Sequence, residues 1–102
     1  MKDSATVWQQ VDSAIQQFLI VELDLGMTFA QAAAHAQSTN ERLRSRQLAR
    51  TAYDTGSRWI FRARFTAQDS RTYHQKLRQL RLALNRLGDP IQDSYSDAFA
   101  LL

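Results

Sequence analysis

The sequence predicts an all-α protein, an antiparallel three-helix bundle with a short C-terminal tail. Three observations carry that expectation. Apolar residues recur three and four apart along most of the 102 residues, and no stretch alternates with period two for long enough to make a strand. Only three glycines and one proline interrupt the pattern. Turn and stop residues fall at Ser38-Thr39-Asn40, at Thr66 and at Gly88-Asp89-Pro90, which divides the chain into three helical segments. A chain of this length makes one domain, residues 1–88, and short connections place neighbouring helices antiparallel.

The first helix is expected over residues 5–37. Trp8, Val11, Ile15, Phe18, Glu22, Leu25, Phe29, Ala32 and Ala36 fall alternately three and four apart, a heptad seam with one acid in it. This seam is expected to face the core, with Leu19, Leu23 and Ala33 widening it towards a second neighbour. Gly26 lies inside the pattern at a cost of about 1 kcal/mol relative to alanine. The seam keeps its phase across the glycine, so the helix is expected to continue through it.

Ser38, Thr39 and Asn40 can cap a new helix, and Glu41 sits in its first turn, where the helix dipole favours an acid. The second helix is expected over residues 41–64. Its inner face reads Ser45, Leu48, Ala49, Ala52, Gly56, Trp59 and Ala63, mostly small, with Tyr53 and Ile60 to one side. Thr66-Ala67-Gln68-Asp69 has the form of a capping box with aspartate for glutamate. The third helix, residues 67–87, carries Tyr73, Leu77, Leu80, Leu84 and Leu87 on one seam, and Gly88 then Pro90 stop it. The tail, residues 89–102, is polar with an apolar end, Phe99-Ala100-Leu101-Leu102. The first helix is longer than the others, so part of it must project or be covered by the tail.

Several chemistries are excluded or lack a motif. The absence of cysteine rules out disulfides, thiolate catalysis and cysteine-ligated metals. His35 and His74 have no acid or second histidine at helical spacing, so no metal is expected. Gly26, Gly56 and Gly88 are isolated, and no serine stands in a nucleophile-elbow context. Glu22 is expected to be a paired or terminal seam acid rather than a catalytic one. The best apolar run, Phe18-Leu19-Ile20-Val21, is too short to cross a bilayer. The expectation is a cytoplasmic, non-enzymatic protein without cofactor or small-molecule substrate.

Charge is strongly polarised. Residues 42–86 hold twelve of the thirteen cationic side chains, eleven of them arginine, against the acids Asp54 and Asp69. The flanking segments are acidic. Arg42, Arg46, Arg50, Asp54, Arg58 and Arg62 repeat every four residues or so and are expected to form one basic ridge on the second helix. Two uses are open. The ridge can meet an anionic partner, nucleic acid first, because the guanidinium fork matches phosphate. It can instead pair with the acidic first helix and tail of the same chain. Phe61, beside Arg58 and Arg62, is a candidate contact with a second copy.

Ala49-Arg50-Thr51-Ala52-Tyr53-Asp54-Thr55, followed by the third helix, resembles the helical hairpins of tetratricopeptide-like domains and the three-helix microtubule-interacting-and-trafficking domain. The likeness covers about residues 28–88. The Trp…Leu-Gly…Tyr signature of the tetratricopeptide pattern is absent, and the repeat has no second copy. The resemblance implies a protein- or peptide-binding scaffold without catalysis. The expected contact residues are Arg46, Arg50, Tyr53, Arg58, Phe61, Arg62 and Arg78. The expected partner is a protein or a second copy, with nucleic acid as the alternative.

Overall fold

A computed structural model describes residues 4–60 and 67–89, residues 4–6 by backbone alone. It contains three helices, α1 Ser4–Ala34, α2 Thr39–Trp59 and α3 Ala67–Arg86, and no strand among the described residues. The all-α bundle is therefore what the apolar spacing predicted. The predicted end of the second helix beyond residue 60, Thr66 and most of the C-terminal tail lie outside the described residues.

Two of the described boundaries have a clear local cause. The Ser38 side chain caps α2, its Oγ accepting from the Glu41 amide at 3.1 Å, so the helix begins at Thr39, before the expected residue 41. Past α3, the Asp89 amide donates to the Leu84 carbonyl and the Gly88 amide to the Asn85 carbonyl, at 3.0 and 3.1 Å. This is a Schellman closure, and Gly88 takes the left-handed conformation it requires, φ 82°. Gly88→Ala is expected to destabilise by about 1 kcal/mol, because a Cβ is strained at that φ. Denaturant melts of the two proteins check it.

Contacts between helices fix their directions. A Cβ placed on Gly26 of α1 would lie 2.7 Å from Ala52 Cβ of α2 and 2.8 Å from Leu80 Cδ2 of α3. One turn earlier in α1, Leu23 reaches Gly56, one turn later in α2, so these two helices run antiparallel. Tyr73 donates its hydroxyl to the Gly56 carbonyl at 2.7 Å, and Arg46 reaches the Leu87 carbonyl, so α2 and α3 also run antiparallel. Asp24 pairs with Lys76 and Gly26 abuts Leu80, which sets α1 and α3 parallel.

The α3 seam is the core face, as its spacing predicted: Tyr73, Leu77, Leu80, Leu84 and Leu87 are all buried. Burial also pushes the Tyr73 phenol well above its ordinary pKa. The other two faces are turned from their predicted positions. On α2 Ala49, Ala52 and Gly56 are buried as predicted, joined by Tyr53, Ser57 and, just past the helix end, Ile60, while Leu48 is left exposed.

On α1 the correction is larger. The buried line is Leu19, Leu23, Gly26, Ala30 and Ala33, also four and three apart. The residues predicted to widen the seam are its centre. Trp8, Val11, Phe18 and Leu25, predicted as core, are exposed, Trp8 by 64% and Phe18 by 57%. Ala32 is exposed too, while Ile15 and Phe29 are half-buried against the core. The small residues explain the choice. Gly26 meets Ala52, Leu23 meets Gly56, and Ala30, Ala33 and Ala49 lie in the same core, so small side chains on both helices let the axes approach closely. Packing on Phe18 and Leu25 would hold them apart.

The N-terminal part of α1 also extends beyond the described start of α3. The offset between Gly26 and Leu80 puts the start of α3 level with Ser13. Trp8 lies more than a turn beyond that, since each residue adds about 1.5 Å.

A candidate protein interface on the first helix

The predicted contact residues that are described do not all share one exposed face. Tyr53 is a core residue, 3% exposed, not a groove residue. Arg46 is half-buried and its Nη1 donates to the Leu87 carbonyl at 3.4 Å. Arg50 pairs through Nε with Asp54 and through Nη1 with Asp89, both at 3.1 Å. Partial burial works against its charge, but the two carboxylates outweigh it and hold the guanidinium above its ordinary pKa. Arg58 and Arg78 are exposed on α2 and α3. Phe61 and Arg62 lie outside the described residues.

The ridge fails for a geometric reason. Residues four apart drift about 40° around a helix at each step, so Arg42 and Arg58 stand about 160° apart. The middle of the run therefore turns onto α3. There Arg46 and Arg50 tie α2 to the end of that helix, a use within the chain. Asp24 of α1 and Lys76 of α3 add one ion pair, at 2.6 Å. These partly solvated pairs contribute about 0–1 kcal/mol each. Arg42, Arg44, Arg58, Arg71, Arg78 and Arg86 are exposed and make no ion pair among the described residues.

Among the described residues, no three His, Asp or Glu side chains come together as metal ligands would. Glu22 is half-buried on α1. His35 is exposed. His74 is half-buried, with its ring edge-on to Tyr73 at 6.5 Å between centroids. Burial lowers its pKa from the ordinary 6.5. The folded state thus disfavours the imidazolium. Its contribution to stability is complete above the unfolded-state pKa and is lost as pH falls through that value towards the folded one. Between pH 7.5 and 5 the wild type is expected to lose more stability than His74→Asn. Parallel urea titrations at the two pH values measure this, and equal losses would rule out His74 as the titrating group.

The arrangement that stands out is on α1. Val7, Val11, Ala14, Phe18, Val21 and Leu25 are all exposed and fall alternately four and three apart. They make a second heptad seam, roughly a third of a turn away from the buried one. Trp8, 64% exposed, adjoins it. Together these side chains expose on the order of 500 Å² of apolar surface, the size of the largest apolar patch on an ordinary soluble monomer, which is often functional. Asp12 is the one charge in residues 4–21, and Gln10 and Gln17 flank the seam. No described helix is long and apolar enough to cross a membrane. The signal for this seam was in the spacing. The predicted line over Trp8, Val11, Ile15, Phe18 and Leu25 ran between the two true stripes and merged them.

Comparison with protein-family models, curated proteins and solved structures finds no match to this chain.

Proposed function

We propose that the chain is a non-catalytic, protein-binding helical module, working in the cytoplasm, whose contact face is the exposed seam of α1. One observation carries this reading: an unbroken heptad of apolar side chains on a folded helix, open to solvent. Water-exposed Val, Phe and Leu at a 3.5-residue period gain free energy when another helix covers them, and that period suits a helical partner. The implied class of activity is also that of the tetratricopeptide-like and trafficking-domain hairpins the sequence resembles.

A second reading uses the exposed arginines. Arg42, Arg44, Arg58, Arg71, Arg78 and Arg86 are free to meet phosphate, which favours nucleic acid. It is the weaker reading, because Arg46 and Arg50 are engaged within the chain and the exposed arginines belong to two helices and several directions.

A photo-crosslinking residue placed at Val21, or at Arg78 as the comparison, separates the two. Covalent protein adducts in cells are expected from position 21 and not from position 78. Adducts from position 78 alone, with retention on a polyanion that falls steeply as salt rises, would favour the arginine surface instead.

A further inference from the structure

We infer that the seam on α1 is covered by a second copy of this chain, laid antiparallel along α1 about a two-fold axis beside Gln16. This rests on the reading of α1 as an interface and names its occupant.

Three features point to self-pairing. The first is the register. In an antiparallel pair centred near Gln16, Leu25 opposes the partner's Val7, Val21 the partner's Val11, and Phe18 the partner's Ala14, and the two-fold repeats each pair. The bulkiest seam residue meets the smallest, and no seam residue is left over. Sliding by one heptad in one direction strands Val21 and Leu25. Sliding in the other sets Val11 against Thr28 and Val7 against Ala32, both exposed and less apolar or smaller.

The second feature is charge. Flanking residues usually choose a partner by opposite charge. Here Gln17 falls beside the partner's Gln17, and Asp24 beside the partner's Gln10, whose amide can donate to a carboxylate. No acid meets an acid, and no row of one sign selects a different, oppositely charged helix. The arginines of the described residues are all on α2 and α3.

The third is area. A standard interface buries about 800 Å² per partner, somewhat over half of it apolar. The exposed seam with Trp8 supplies on the order of 500 Å² of apolar surface. Val7, Trp8 and Val11, on the part of α1 beyond the described start of α3, are exposed and belong to this surface.

The chain has no cysteine, so single-cysteine variants report the register cleanly. Gln10 and Gln17 are both exposed. Sedimentation of the wild type at about 100 µM is expected to give a dimer, since even micromolar affinity saturates there. In a glutathione buffer, Gln17→Cys is expected to form a disulfide-linked dimer and Gln10→Cys to stay unlinked. Phe18→Asp and Val21→Asp are each expected to sediment as helical monomers, because both positions are solvent-exposed in the fold. Linking of both cysteine variants, or of Gln10→Cys alone, would overturn the antiparallel register. A dimer that survives both aspartate variants would place the contact elsewhere. A monomeric wild type would overturn the second copy as occupant; adducts from position 21 to another protein would then still uphold the wider binding reading, and their absence would end that too.

Discussion

Leu80→Ala is expected to lower the unfolding free energy by about 2–5 kcal/mol, the range for deleting a buried leucine side chain. Leu80 is fully buried in α3 and its methyl groups fill the space above Gly26. Its neighbours decide where in the range the value falls. Gly26 has no side chain and Ala52 only a methyl, so neither of these two can rotate into the hole. The loss should therefore lie in the upper part of the range. A single domain has about 5–15 kcal/mol in total, so this variant should sit near its unfolding midpoint in moderate urea. Leu82, two residues along, is exposed and supplies the control. Leu82→Ala is expected to cost under about 1 kcal/mol. Urea titrations followed by circular dichroism at 222 nm compare them; equal losses would mean that α3 turns a different face inward.

Gly26→Leu is expected to be nearly as damaging, about 3 kcal/mol, and Gly26→Ala tests the cause by its sign. Helix propensity alone makes alanine at a helical glycine stabilising by about 1 kcal/mol. The structure predicts the opposite. A Cβ on Gly26 meets Ala52 Cβ at 2.7 Å, and a Cβ cannot rotate away. The α1 and α2 axes must separate, which typically costs 1–3 kcal/mol and outweighs the gain in propensity. Moving the methyl across the interface should repair it. Gly26→Ala with Ala52→Gly is expected to recover much of the loss, leaving the Leu80 methyl to shift by rotation. A double-mutant cycle measures the coupling. A stabilised Gly26→Ala single variant would show that the two helices are not held so close.

Leu80 and Gly26 also show how differently the three helices could be read. The α3 seam has one apolar stripe with arginines and glutamines beside it, so its period names its buried face without ambiguity. Gly88 and Pro90 announced where it stops, and Ser38 with Glu41 announced where α2 starts. On α1, apolar residues cover much of the circumference: Val7, Phe18 and Leu25 on one line, Leu19 and Leu23 on another. Periodicity shows that both lines exist but does not say which one another helix covers. The candidate interface was hidden for the same reason, since exposed and buried heptads have the same spacing. Arg46 and Arg50 were misplaced by a different cause. Their spacing is regular, but helical drift carries them off the outer face and onto the end of α3.

The sequence by itself determined that this chain is helical, where two of its helices begin or end, and which side of α3 is buried, because each depends on residues close together along one helix. Only the tertiary structure decided which stripe of α1 stays wet and which arginines are consumed within the fold. Those outcomes turn on how near two axes can come, and that distance is set by pairs such as Gly26 and Ala52 that no local spacing joins.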